Sequence, residues 1–302
     1  MSLTFENKVA VVTGAGNGLG RSHALLLGSL GASVVVNDLG AALDGTGSSE
    51  TVADGVVNEI KAAGGNAVAN PDSVIDGDKI IQCALDNFGR VDVVINNAGI
   101  LRDKSFHKMS DADWDLVYDV HLRGAYKVSR AAFPHMREQG YGRFVMTTSA
   151  AGIYGNFGQA NYSACKLALH GLSQTIAIEG ASKGIKSNTI APLAASRMMG
   201  SVMDEETMAM LNPELVSPLA AFLCHESCDS SGGLFEVGAG WISKVQWERS
   251  EGAYFDPKGF SIDDVESSFD KIGDFSNSTN PRSTGSSMKA LAANPMLPKR
   301  DA

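Results

Sequence analysis

The sequence predicts an α/β fold: a doubly wound parallel sheet with helices on both faces, one domain with a short carboxyl-terminal extension. Three observations carry that prediction. Apolar, β-branched runs alternate with helix-like stretches from residue 8 to residue 238, without internal repeats. Such alternation packs as a parallel sheet covered on both sides. The first strand runs into a glycine turn that opens a helix, and the second ends on an acidic residue. Both features sit at strand carboxyl ends, where sheets of this class hold their ligands.

The first strand is Val9-Ala10-Val11-Val12, and it enters Thr13-Gly14-Ala15-Gly16-Asn17-Gly18-Leu19-Gly20. Arg21 to Leu30 then reads as helix, with no breaker before Gly31. Strand, glycine turn and helix start together make a phosphate site, because glycines let the backbone approach a pyrophosphate and the helix start offers free N–H groups and partial positive charge. The spacing is Gly-x-x-x-Gly-x-Gly, with Leu19 where the commoner Gly-x-Gly-x-x-Gly pattern puts its third glycine. Ser33 to Asn37 forms the second strand and ends at Asp38, eighteen residues beyond Gly20. An acid there receives ribose hydroxyls and repels a 2′-phosphate. No Arg or Lys lies between Gly14 and Gly20 and none closely follows Asp38, so the expected cofactor is NAD and not NADP. Further strands are expected near 66–70, 91–96, 143–149, 186–191 and 234–238. Helices are expected over 18–30, 48–63, 76–88, 111–139, 160–182 and 213–224.

The fifth strand ends at Ser149, and Tyr162 and Lys166 follow, four residues apart on one helix face. A free tyrosine titrates near pH ~10. A neighbouring ammonium favours the phenolate, so Tyr162 can exchange an alcohol proton while Ser149 holds the oxygen. A Tyr-x-x-x-Lys pair alone is common on helix surfaces; the glycine turn and Asp38 give this one chemical meaning.

On these residues the chain resembles the short-chain dehydrogenase/reductase family over residues 5 to about 241. Thr13-Gly14 with Gly18 and Gly20, Asn96-Asn97-Ala98-Gly99, and Ser149 with Tyr162 and Lys166 stand in the family's order and spacing. The resemblance implies a Rossmann-type domain. Its NAD site would use Gly14, Asn17, Gly18, Leu19, Gly20 and Asp38, then Asp72 and Ser73 beside the adenine. Asn97, Ala98, Gly99, Tyr162 and Lys166 would continue it, with Pro192, Ala194 and Ser196 along the nicotinamide. The sequence departs from the family at two places. His121 stands where many members have an Asn that serves a proton path, and Pro192-Leu193 replaces the usual Pro-Gly. His121 therefore joins the candidate catalytic set, as a relay or as a support.

Longer runs, including Asn37-Asp38-Leu39-Gly40 and Tyr154-Gly155-Asn156-Phe157-Gly158-Gln159-Ala160-Asn161-Tyr162, resemble one branch of that family. It comprises the (3R)-hydroxyacyl-CoA dehydrogenase units of peroxisomal multifunctional enzymes. This narrower resemblance implies NAD-dependent oxidation of (3R)-3-hydroxyacyl-CoA to 3-ketoacyl-CoA in fatty-acid β-oxidation, and an acyl-CoA substrate. It also implies a hydratase domain on a longer parent chain, while the family resemblance implies a homodimer paired through 111–139 and 160–182. A 17β-hydroxysteroid or other secondary-alcohol dehydrogenase uses the same residues, and a 3-ketoacyl carrier reductase should prefer NADPH. From another class, a non-catalytic NAD-binding oligomerisation module has no need of an intact Ser-Tyr-Lys set.

Composition bounds the remaining classes. The 302 residues are 44% hydrophobic and 20% charged, as in a globular enzyme. A net charge of −9 argues against nucleic-acid partners. An acyl-CoA must still find local positive charge, for which Arg102 and Lys104 are candidates. Four cysteines without a secretory pattern read as reduced thiols. Cys224-His225-Glu226 with Cys228 lacks a second ligand pair at zinc spacing, so no metal site is expected. No apolar run approaches the ~20 residues of a membrane span. The chain does not end in Ser-Lys-Leu, so the expected location is the peroxisome matrix if it belongs to a multifunctional enzyme, and otherwise the cytoplasm. Residues 250–288 turn rich in Ser, Asp, Asn and Gly, which places the catalytic domain at 1–249 and an extension or linker at 250–302 with one short helix near 262–272.

Overall fold

A computed structural model describes residues 3–47, 51–193 and 211–297. The chain divides into two compact units, Met1–Lys244 and Val245–Ala302. The first is built on a sheet of eight strands: β1 Val9–Thr13, β2 Ser33–Asn37, β3 Asn66–Asn70, β4 Val93–Asn96, β5 Gly142–Thr147, β6 Ile185–Pro192, β7 Leu234–Gly238 and β8 Trp241–Val245. They lie in the order β3-β2-β1-β4-β5-β6-β7-β8. Pairing from β3 through to β7 is parallel, with Val12 beside Val36 on one flank and Ile95 on the other. The order reverses between β1 and β4, and a parallel sheet opens its ligand crevice at such a point.

Period two explains the core. Ala10, Val12, Val34 and Val36 face one side, where they pack with α1 (Gly18–Ser29), α2 (Thr51–Ala62) and α8 (Ser217–Cys224). Val9, Val11 and Val35 face the other, against α3 (Gly77–Phe88), α5 (Gly124–Gln139) and α7 (Ala160–Gly180). All five residues of β1 are buried, as a strand covered on both faces requires.

Four expectations need correction. The helix expected over 111–139 is continuous but not uniform: α4 (Asp111–Tyr118) passes through a π-helical turn, Asp119–Arg123, before α5 begins. Pro134 in α5 is not the cause; the extra residue per turn falls at His121, which it carries inward. The expected 213–224 helix is a 3₁₀ turn, Pro213–Leu215, followed by α8. A short helix after Ser149, α6 (Ala150–Tyr154), was not foreseen. Nor was β8, which follows β7 through Ala239 (φ 48°) and Gly240 (φ 76°), a two-residue turn with both angles positive.

The second unit is folded, where the sequence suggested one short helix. It contains helices Ile262–Ser267, Phe269–Ile272 and Thr284–Ala292. Ser261 and Asp264 form a reciprocal capping box on the first of these. Arg249 and Thr279 exchange backbone hydrogen bonds of 2.8 Å, and the Tyr254 hydroxyl donates to the Ala290 carbonyl at 3.1 Å. Among the described residues no helix is long and apolar enough to cross a membrane.

Candidate active site

A cleft of about 560 Å³ opens at the carboxyl ends of β1, β2, β4 and β5. Its first half is made largely of backbone. Gly14 (φ 62°) and Gly18 (φ 53°) occupy left-handed conformations that side chains disfavour. A Cβ on Gly14 would sit 2.8 Å from the Ala98 Cα, and one on Gly20 would run into the Gly14 carbonyl oxygen. Asn17 caps α1 without a side-chain hydrogen bond, so the first N–H groups of the helix stay available. Asp38 anchors the turn, accepting from the Gly16 and Gly40 N–H groups at 2.7 Å each, one on each carboxylate oxygen. The Thr13 hydroxyl accepts from the Asn97 and Ala98 N–H groups at 3.1 Å, while the Asn97 amide donates to the Thr13 and Gly14 carbonyls at 3.0 Å. The Asn-Asn-Ala-Gly loop and the glycine turn are thus one fastened unit. Thr13 and Gly16 belong to the motif read from the sequence but were given no part in the site there; the structure gives both one.

Asn17, Gly18, Leu19, Asp72, Ser73, Asn97, Ala98 and Gly99 all line this cleft, as do Gly14, Asp38 and Pro192. Gly20 supports it from beneath. Ala194 and Ser196 lie outside the described residues. A concave backbone cradle beside a helix start, with a carboxylate at the far strand end, fits a dinucleotide.

The second half is made of side chains. Ser149 follows β5 and caps α6, its hydroxyl accepting from the Ala151 N–H at 3.2 Å. Tyr162 and Lys166 project from the first turns of α7, with the Lys166 Nζ 5.3 Å from the centre of the Tyr162 ring. Lys166 is buried and donates to the Thr147 carbonyl at 2.6 Å. Burial pulls its pKa down to about 7. Burial also pushes the Tyr162 phenol up, opposed by the Ser149 hydroxyl. The direction is opposite to the lowering expected from Lys166: desolvation of the phenol outweighs the Ser149 hydroxyl.

His121 is 2% exposed, and its Nε2 lies 3.0 Å from the Ile100 N and 2.8 Å from the Ile100 carbonyl oxygen. Its ring meets Tyr162 edge to face, centroids 5.2 Å apart. A Cβ on Gly99 would stand 2.5 Å from the His121 Cε1, so the glycine makes room for the ring. Burial, and then the Lys166 charge, lower its pKa to about 3, which keeps it neutral. The ring braces both the loop and the tyrosine.

The other candidates resolve simply. Cys165 is buried with Ile100 and Val117 and does not line the cleft. His225 shares a 2.8 Å hydrogen bond with the Ser227 hydroxyl and stands edge-on to Phe5. Among the described residues no three His, Cys, Asp or Glu side chains gather as a metal site. Arg102 is committed, its Nε donating to the Asp44 carbonyl at 2.6 Å and its guanidinium 3.5 Å from Asp113.

Comparisons with known proteins agree with this geometry. The model of the short chain dehydrogenase family matches residues 8–207. Peroxisomal multifunctional enzyme A of Dictyostelium discoideum is 56% identical over 293 residues, covering 97% of this chain and 66% of the relative. The full-length peroxisomal multifunctional enzyme type 2 of Drosophila melanogaster superposes with a TM-score of 0.83 at 42% identity, covering 96% of this chain and 49% of that one. This chain thus spans roughly half to two thirds of those proteins. A 7α-hydroxysteroid dehydrogenase complexed with NADH and 7-oxo glycochenodeoxycholic acid superposes with a TM-score of 0.70 at 29% identity, covering 78% and 95% respectively. The family model covers the cofactor cradle and the Ser-Tyr-Lys side alike: this chain is an oxidoreductase that works with a nicotinamide cofactor and belongs to the short-chain dehydrogenase family.

Proposed function

We propose that this chain oxidises a (3R)-3-hydroxyacyl-CoA to the 3-ketoacyl-CoA with NAD⁺, as the dehydrogenase unit of a peroxisomal multifunctional enzyme. The observation that carries the reading is a cleft with Asp38 at one end and Ser149, Tyr162 and Lys166 at the other, in a chain 56% identical to such an enzyme. Asp38 keeps lone pairs beyond those used by Gly16 and Gly40 for the ribose hydroxyls, and its charge opposes a 2′-phosphate. The glycine turn and the start of α1 hold the pyrophosphate. Asp72 and Ser73 flank the adenine, while Pro192, with Ala194 and Ser196, serves the nicotinamide end. Bound NAD⁺ supplies the hydride acceptor and a positive charge.

The chain's own residues do the rest. The Ser149 Oγ donates to the alcohol oxygen and orients it. The Tyr162 hydroxyl, as phenolate, takes the alcohol proton as C3 gives up its hydride, so the products are ketone, reduced cofactor and one proton. Lys166, fixed by the Thr147 carbonyl, holds the nicotinamide ribose and stabilises the phenolate. His121 keeps the Asn97–Ile100 loop and the Tyr162 ring in place. Homodimer assembly, a hydratase domain on the parent chain and a peroxisomal location belong to the same reading.

The test is NADH formation from (3R)- and (3S)-3-hydroxyacyl-CoA of medium chain length, with NAD⁺ and NADP⁺ in parallel. Turnover confined to the 3R thioester and NAD⁺ is expected. Turnover of a hydroxysteroid with neither thioester oxidised would replace the acyl-CoA reading with the steroid one, which the 7α-hydroxysteroid dehydrogenase likeness makes the natural second reading.

A further inference from the structure

Two loops flank the Ser149–Tyr162 pair on its outer side. One, 102–108, continues from the Asn-Asn-Ala-Gly loop; the other, 154–159, joins α6 to α7. They are tied together: the Lys104 N–H donates to the Gly158 carbonyl at 2.9 Å, and the Gln159 amide donates to Asp103 at 2.8 Å. Between them they present the large aromatic rings of Phe157 and Phe106, 90% and 79% exposed. Rings that bare on a soluble domain mark a contact surface.

Beside the rings stand Lys104 and Lys108, both exposed, with no carboxylate partner among the described residues. Of the acidic groups close by, Asp103 accepts from the Gln159 amide and Glu236 from the Tyr154 hydroxyl at 3.0 Å, while Asp111 is exposed. Lys104 and Lys108 beside open aromatic faces offer ammonium groups and stacking surfaces together. Arg102, the other cation the sequence put forward, is held by Asp44 and Asp113.

We propose that this rim binds the 3′-phospho-ADP end of coenzyme A, the lysines pairing with its phosphates and Phe106 or Phe157 stacking on its adenine. The inference rests on the acyl-CoA reading above and adds the subsite that distinguishes a CoA thioester from other secondary alcohols. Phosphates pair with ammonium groups as point charges, and bases stack on any flat aromatic face. The rim is continuous in the chain with the cleft lining, Leu101 leading into one loop and Ser149 and Tyr162 bracketing the other, so a long pantetheine arm from it would run toward Tyr162.

The test compares two substrates on two proteins: a (3R)-3-hydroxyacyl-CoA and the same acyl group on N-acetylcysteamine, with the wild-type chain and with Lys104→Glu/Lys108→Glu. For the CoA thioester the double variant should raise KM about tenfold with kcat unchanged, and added salt should erode the difference. The N-acetylcysteamine thioester, which lacks the nucleotide, should keep its wild-type KM. Removing both rings, Phe106→Ala/Phe157→Ala, should raise KM for the CoA thioester alone. An unchanged KM for the CoA thioester in the double variant overturns the rim and leaves the acyl-CoA reading standing. If neither thioester is oxidised, the functional reading falls, and calorimetry with free CoA decides the rim separately. Binding at least fivefold tighter to wild type than to the double variant supports it; equal or absent binding overturns it.

Discussion

The two halves of the cleft are built from opposite materials. On the β1–β3 side the working surface is backbone: left-handed Gly14 and Gly18, the close approach of Gly20 to Gly14, and N–H groups fixed by the Asp38 carboxylate. On the β5 side it is side chains, with a buried ammonium at Lys166, a neutral ring at His121 and a desolvated phenol at Tyr162. The first half is a shape and fails when atoms are added. The second is a set of polar and charged groups held out of water, and it fails when atoms are removed. Deletion and insertion should therefore have separable signatures, binding on one side and turnover on the other.

The largest effect belongs to the charged half. Tyr162→Phe removes one oxygen and no shape, so nucleotide affinity should hold while kcat falls by about 10²–10⁴, the range of general-base catalysis. Cofactor titration beside steady-state rates checks this; wild-type turnover in the variant would remove Tyr162 from the mechanism. The mirror experiment is Gly20→Ala. The added methyl meets the Gly14 carbonyl, which is backbone and cannot swing aside. Overpacking of this kind costs about 1–3 kcal/mol, which at the cofactor turn means roughly a 10–100-fold loss of nucleotide affinity. If Gly20→Ala bound the cofactor normally but turned over slowly, the division between the halves would be wrong.

Legibility in the sequence follows the same division. The glycine turn, Asp38 and the Asn-Asn-Ala-Gly loop were readable because a close approach leaves glycine few substitutes and the spacings are local. Ser149, Tyr162 and Lys166 were readable as a pattern, and their residues do line the cleft. Their electrostatics were not, since the fall of Lys166 to about 7 comes from burial contributed by neighbours distant in sequence. The π turn at Asp119–Arg123 carries no residue that announces it; within it His121 is buried against the Ile100 backbone. The β7–β8 turn is written in Gly238-Ala239-Gly240, where glycine takes one of the two positive angles. The folded 245–302 unit hid behind a composition that suits linkers, although Ser261 and Asp264 spell a capping box.

A smaller effect sharpens the shape half. Asp38→Asn keeps an acceptor for the Gly16 or Gly40 N–H but removes the charge that faces a 2′-phosphate. The ratio of NAD to NADP affinity should fall about tenfold, since like-charge juxtaposition is what excludes the phosphate. Affinities for both nucleotides, measured on both proteins, check it. An unchanged ratio would mean that another group sets cofactor choice.

The smallest effect is a pH slope, and it compares the halves directly because a buried neutral histidine lies under each. His23 on α1 hydrogen-bonds the Ser217 hydroxyl at 2.7 Å, and burial lowers its pKa to about 4. His121, lowered to about 3, braces Ile100 and Tyr162. Each ring titrates near 6.5 when unfolded, so on acidification the unfolded chain takes up its proton first. The stability each contributes is complete above pH 6.5 and is lost as pH falls through the folded values, at no more than about 1.4 kcal/mol per pH unit for each ring. Lys166 acts the same way at higher pH: its share is complete above 10.5 and is lost as pH falls through about 7. Urea midpoints between pH 6.5 and 4 should therefore fall, and His121→Asn should flatten the slope by one ring's share. Asn does not titrate, and its amide can both donate to the Ile100 carbonyl and accept from the Ile100 N–H, so turnover should survive the exchange. His23→Asn should flatten the slope equally and leave the pH profile of turnover unmoved, because His23 does not line the cleft. Should the two variants change that profile alike, the brace between His121 and Tyr162 would carry no catalytic weight.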